Sequence, residues 1–555
     1  MTKRLEKLKL VKGQKWQRQD PLDNLGVRTP DLIKDAIKEG KNELAKDLAD
    51  YYYFWETKSV LDANVDLVGG FPSFWMQNYG EETLFEVYRL LMIKNRGLTS
   101  WPVQPVKRHD DPPVDHLATN FDYAMDHALH MVRPHRMGML DGTGGFVVKE
   151  YENRYEVQWD PCYTGGRMRR GDQISRTPPY TSHPYNYYTT KSAHTWTGGK
   201  VGLTGYCIHC YILHDLMDVE QTGYLGQWVV SYPDNPWDPC PYVAYKDLDW
   251  IPEEAYTKLG KVKPKVRNPV PKFKDITKPI KTTHSHDLGP YWRVKEGEVW
   301  IHCLPRIKEA IDAGDKEKAM KLVDTLWAET ANHHATYPIT WNWQWQDYIV
   351  ERFGYAEVYH ALRSIYSPME PALGPNEKKP TKDEIPSALE RVWKWATWGR
   401  GDLSGPNQEG SVVITDEPDR IVMELKPCGS GGRGCIAIDK LDPVRQAAYD
   451  ELLLTSKNVR GPLTKPPYNL KVTTEPHPAN WNKVGIPHLC MRCCVHFELA
   501  GFAKYGYLTT IIDRAANATD PNCKWYFYKD LDDIPEKYYT EVGLKKPAVA
   551  AKANK

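Results

Sequence analysis

The chain has 555 residues, a net charge of +1 and a pI near 7.6, which leaves room for several domains of roughly 100 to 200 residues each. Its basic residues form no long stripe outside one linker, no apolar run approaches the roughly eighteen residues of a membrane-spanning helix, and the first residues lack the apolar stretch of a secretory leader. The expectation is a cytoplasmic protein with no membrane span and no nucleic-acid partner, in which eleven cysteines are too few for a disulfide scaffold.

Residues 1–30 are charged and without periodicity, the pattern of an N-terminal arm. From Asp31 to Arg96 the residues Leu32, Ile33, Ala36, Ile37, Leu44 and Leu48 keep helical spacing with Gly40 between two helices, so a first helical subdomain is expected over 31–130. Within Asp122 to His135 a further helix would carry Asp126, His127 and His130 and end at Pro134, with His135 just beyond. Gly142 to Trp159 alternates in the manner of strands and lies in a strand-rich subdomain over 131–260, where Thr177 to Tyr188 reads as a long ordered loop. Lys261 to Thr283 holds Pro264, Pro269, Pro271 and Pro279 among many lysines, a density of proline that forbids regular helix and marks a linker over 261–295. A second helical subdomain follows over 296–400, a second strand-rich subdomain over 401–543, and a tail over 544–555.

The sequence repeats. Cys207 to Gly260 lies without a gap over Cys490 to Gly543, with 18 of 54 positions identical. Upstream, Arg154 and the loop Pro161-Cys162-Tyr163-Thr164-Gly165-Gly166-Arg167 match Arg420 and Pro427-Cys428-Gly429-Ser430-Gly431-Gly432-Arg433. Ile33, Ala36 and Ile37 are echoed by Ile307, Ala310 and Ile311, and Glu86-Val87-Tyr88 by Glu357-Val358-Tyr359. The expected fold is α+β and internally duplicated, each half a helical subdomain followed by a strand-rich four-cysteine metal-binding subdomain.

Eight cysteines thereby form two sets: Cys162, Cys207, Cys210 and Cys240, and Cys428, Cys490, Cys493 and Cys523. Metal ligation needs thiolates that converge at about 2.3 Å, and two residues between paired cysteines let one turn present both sulfurs. All four persist in both copies while two-thirds of the repeat has drifted, which points to ligation rather than to buried free thiols. Zinc in two structural sites is favoured, with a four-iron four-sulfur cluster (4Fe-4S) in each as the alternative. The arginine of each glycine loop is a candidate anion clamp, Arg433 above all, although pairing with a local acid is the simpler role for Arg167.

One cluster belongs to the second half alone. Glu329 and His333 are four apart on one helical face, and His334, Tyr337, Trp341, Trp343 and Trp345 follow. Such a set offers a general base, a carboxylate to orient it and an aromatic wall for a ligand, with Trp341 and Trp343 as the contacting rings. The structural alternative is an amphipathic helix whose histidines sit at a wet interface while the tryptophans pack. No dinucleotide fingerprint, phosphate-binding loop or nucleophile elbow stands at a credible position. The expectation is a metalloenzyme for a small aromatic or planar substrate, a hydrolase, lyase or oxidoreductase. Its alternatives are a non-catalytic, metal-stabilised subunit whose arms and linker hold partner subunits or further copies in a homo-oligomer, and an iron-sulfur electron-transfer protein.

Overall fold

The computed structural model describes residues 3–13, 16–99, 146–172, 177–225, 228–265, 272–284, 291–293, 299–301, 303–334, 339–366, 380–401, 412–435, 462–466, 469–517, 520 and 522–548. The helix expected within Asp122 to His135, and Tyr337, lie outside these residues. For Glu329, His333, His334 and Arg433 the backbone is described and the side chain is not. Helices and small antiparallel sheets are mixed, as an α+β chain requires, and among the described residues no helix is long and apolar enough to cross a membrane. The chain forms two compact units, one of Met1–Asn64 with Arg306–Lys555, the other of Val65–Pro305.

Helix α1 (Thr29–Lys38) starts on Pro30, whose missing N–H costs nothing in a first turn, and buries Leu32, Ile33, Ala36 and Ile37 along one face. Gly40, at φ +70°, takes the left-handed turn that leads into α2 (Asn42–Tyr51). After the longer α3 (Lys58–Tyr79) and α4 (Leu84–Thr99), the pattern returns in α7 (Cys303–Asp312), Gly314 at φ +74° and α8 (Lys316–His334). Ile307, Ala310 and Ile311 are buried as their counterparts are. Helix α1 packs on α8, where Lys34 Nζ meets Asp324 Oδ1 at 2.8 Å. Then come α9 (Thr340–Phe353), α10 (Tyr355–Tyr366) and α11 (Ala388–Gly401).

The N-terminal residues lie against the rest of their unit rather than standing free. Arg18, with no exposed surface, pairs with Asp20 at 2.6 Å, and in the same unit Arg400 of α11 donates to Glu56 at 2.7 Å, to Leu25 O at 2.7 Å and to Tyr51 Oη at 3.0 Å. The Arg400 hydrogen bond to Leu25 O fixes the segment before α1 to the end of α11, and its ion pair with Glu56 fixes the residues after α2 to the same place.

In the unit Val65–Pro305, strands β1 (Phe146–Glu150), β2 (Arg154–Trp159), β3 (Trp228–Val229), β4 (Cys240–Tyr245) and β5 (Lys281–His284) form one antiparallel sheet in the order β3-β4-β2-β1-β5. The other unit has β6 (Val412–Asp416), β7 (Arg420–Leu425), β8 (Ile511–Arg514) and β9 (Cys523–Tyr528) in the order β8-β9-β7-β6. Trp159 faces Cys240 across the first sheet and Leu425 faces Cys523 across the second, while Arg154 faces Tyr245 and Arg420 faces Tyr528. The proline-rich linker ends in β5, which extends the first sheet at its β1 edge. Its start is held by Lys263 Nζ on Asp249 O at 2.8 Å, and the C-terminal tail by Lys546 Nζ on Asp532 O at 2.6 Å.

Candidate functional site

The first cysteine set gathers where β2 ends and β4 begins. Cys162 follows β2 in a loop that turns into the short helix α5 (Gly165–Arg170), Cys207 and Cys210 lie on α6 (Gly205–Tyr211), and Cys240 opens β4. All four line one small cavity of about 20 Å³, together with Trp159, Arg169, Tyr206, Tyr232 and Tyr242. Gly165 is required here because a Cβ would stand 2.6 Å from Cys207 Sγ. Thr204 caps α6, accepting from Cys207 N at 3.5 Å and setting its hydroxyl 3.4 Å from Cys207 Sγ.

Each sulfur has a local partner, as Cys162 with Thr164 Oγ1 at 3.3 Å and Cys240 with Ser231 O at 3.8 Å. Among the described residues, no group of three or more His, Cys, Asp or Glu side chains stands in metal-holding geometry. The four thiols line a shared space without converging on a point. Burial pushes Cys207 up to about 11 and raises Cys210 and Cys240 well above the ordinary thiol range, and neighbouring cysteines add to each rise. Without a cation such thiols stay neutral; a bound thiophilic ion removes their protons.

The second set repeats the arrangement with two changes. Cys428 follows β7, Cys490 and Cys493 lie in consecutive helical turns, and Cys523 opens β9, while Gly431 again leaves room for a sulfur, a Cβ there standing 2.3 Å from Cys490 Sγ. A fifth thiol, Cys435, joins the set and donates to Gly431 O at 3.3 Å. The second change is Arg514 on β8, opposite Cys523 and 1% exposed, which sends Nη2 to Cys435 Sγ at 3.6 Å and Nη1 to Asn522 O at 2.9 Å. Burial pushes Cys490 up to about 11, Cys435 up to about 12 and Cys523 well above its usual range, against the pull of Arg514.

The tryptophan helix α9 borders this second set. Trp341, Trp343 and Trp345 are all but fully buried. Trp343 donates Nε1 to Lys471 O at 2.7 Å and lies so close to the loop that a Cβ on Gly434 would stand 2.2 Å from its ring. The backbone next to Arg433 therefore meets one of the two tryptophans expected at a ligand site. One turn on, Asp347 accepts from Lys471 N at 2.9 Å and from His488 Nδ1 at 2.8 Å, and His488 Nε2 lies 3.4 Å from Tyr355 Oη, two residues before Cys490. Burial raises the Asp347 carboxyl, although His488 opposes that rise. Gln344 and Gln346 of the same helix are buried, and among the described residues neither amide has a hydrogen-bond partner.

Glu329, His333 and His334 fall on the last turns of α8, in line with the helical spacing. Arg167 pairs with Asp172 at 3.1 Å and lies over Tyr163, so this loop arginine serves its own loop. Residues not singled out from the sequence also matter. Asp215 accepts from Val229 N at 3.1 Å, and Glu498 accepts from Ile512 N and, at 2.8 Å, from Trp481 Nε1. Thr190 and Thr473 receive Leu203 N and Ile486 N at 3.1 and 3.0 Å. Their signal lay in the sequence: the ungapped alignment continues upstream, placing Thr190, His194 and Lys200-Val201-Gly202 on Thr473, His477 and Lys483-Val484-Gly485. No family model, no curated protein and no solved structure matches this chain.

Proposed function

We propose that the protein is an internally duplicated metalloprotein whose halves each hold one zinc-class ion through four cysteines. The observation that carries this reading is the gathering of Cys162, Cys207, Cys210 and Cys240, from three separate stretches of chain, around one cavity of about 20 Å³. A space of that size takes roughly one water-sized occupant, which favours a single ion over a cluster of eight atoms. Shared strand order, shared register and matching hydrogen bonds at Asp215 and Glu498 support the duplication.

Elemental analysis of protein purified without oxygen tests it. Two zinc per chain are expected, falling to one in Cys240→Ser and in Cys523→Ser. No bound metal would end the reading, and about eight iron with matching sulfide would replace it by the electron-transfer alternative.

The enzymatic part of the reading sites a small planar substrate at the start of α9. It is supported by Gln344 and Gln346, since a buried amide with neither donor nor acceptor satisfied marks a place where a polar ligand or water sits. Glu329, His333 and His334 are its acid-base groups, Trp341 and Trp343 its wall. Tryptophan fluorescence titrated with a panel of aromatic acids and amides tests binding, with the response expected to fall in Gln344→Leu. A flat response across the panel favours the non-catalytic subunit, which a sizing column would then show as an assembly larger than one chain.

A further inference from the structure

An arginine stands at the sulfurs of each cysteine set, Arg169 on helix α5 in the first and Arg514 on strand β8 in the second. In the first set Arg169 lines the cavity from α5 and donates Nη1 to Pro233 O at 2.6 Å. The matching position in the second set is Cys435. There the cation is Arg514, directly across β9 from Cys523. The matching position in the first set is Ser231, whose carbonyl oxygen lies 3.8 Å from Cys240 Sγ. Arg169 with Ser231 in the first set stands against Cys435 with Arg514 in the second. The cation stands on a helix in one set and on a strand in the other, and in both it stays with the sulfurs.

Buried charge explains why it stays. A guanidinium held at 1% exposure is costly unless an anion faces it. No carboxylate pairs with Arg514 among the described residues; what faces it is the sulfur of Cys435, the thiols of Cys428, Cys490 and Cys523, and the Asn522 carbonyl. Neutral thiols do not balance a buried cation. Four thiolates around a divalent ion leave an excess of two negative charges and do balance it. On the metal reading given above, we propose that Arg169 and Arg514 are the counter-cations of the two centres, positioning residues that hold the excess charge of each tetrathiolate and strengthen its grip on the ion. Cys435 is then the neutral side chain that fills the position matching Arg169, with its sulfur accepting from Arg514.

The test compares metal content and affinity of the full chain as wild type, Arg514→Ser, Arg514→Lys and the double exchange Cys435→Arg with Arg514→Ser, using zinc and a chelating dye as competitor. Cobalt(II) exchange supplies a thiolate-to-metal absorption band as a second readout. Wild type is expected to hold two ions and Arg514→Ser to bind its second ion about ten- to a hundredfold more weakly, as loss of an outer partner of a metal site does. Arg514→Lys, which keeps the charge, and the double exchange, which rebuilds the first set's arrangement, restore it. Arg169→Ser with Arg169→Cys/Ser231→Arg repeats the test in the other half. A wild type without metal ends the metal reading and this proposal with it. A two-ion wild type with Arg514→Ser and Arg169→Ser at wild-type affinity ends this proposal alone, as does a loss that neither the lysine nor the double exchange repairs. If Arg514→Ser is insoluble, a soluble two-ion double exchange still supports the proposal, and insolubility of both overturns it.

Discussion

Glu498 is the residue whose setting has the clearest consequence for stability. It is 1% exposed, receives Ile512 N and Trp481 Nε1, and burial pushes its carboxyl up to about 8. Unfolded, the group ionises near 4.5; folded, it keeps its proton to about pH 8. Between those values the folded chain binds one proton more than the unfolded chain, so stability falls as pH rises, by up to about 1.4 kcal/mol per pH unit. Urea melts of wild type and Glu498→Gln from pH 5 to 8 check this. The wild type is expected to lose stability across that window and the variant, whose amide does not titrate, to lose less. Parallel curves would show that Glu498 is ionised in the folded chain.

Between elements, the contact of α9 with the second glycine loop is a close fit beside the candidate site. Gly434→Ala sets a methyl group against the Trp343 ring and is expected to cost about 1–3 kcal/mol, the usual range for overpacking. In a Trp343→Leu background, where the ring is gone, the same exchange is expected to cost under half as much, a coupling that a double-mutant cycle in urea reads directly. Helix α11 offers a second case. Glu56→Gln leaves the Arg400 guanidinium buried without its carboxylate, and a loss of roughly 3–5 kcal/mol is expected. A change below about 1 kcal/mol would mean that the hydrogen bonds to Leu25 and Tyr51 already satisfy Arg400.

For the whole chain, if the proposed ions are bound, metal binding and folding are expected to be coupled, because the members of each cysteine set come from stretches that are distant in sequence. Chelation is expected to lower the thermal midpoint in calorimetry, and Cys162→Ser to lower the transition of the unit Val65–Pro305 more than that of the other. A midpoint unmoved by chelation would make the cysteines ordinary buried thiols.

Helical spacing at Ile33, Ala36 and Ile37, strand alternation before Trp159 and the two cysteine sets were all legible in the sequence, because each depends on local periodicity or on the repeat. The sequence by itself determined that four thiols recur with two glycines beside them. Tertiary structure alone decided three things. It put α1 and α2, which precede the first cysteine set in the chain, into the compact unit of the second set. It brought Trp343 to Gly434, and it set Arg514 among the sulfurs across β9 from Cys523. The physical reason is the same in each case: which surfaces meet, and which charge must be balanced there, depends on packing between residues far apart in the chain, and no local pattern records it.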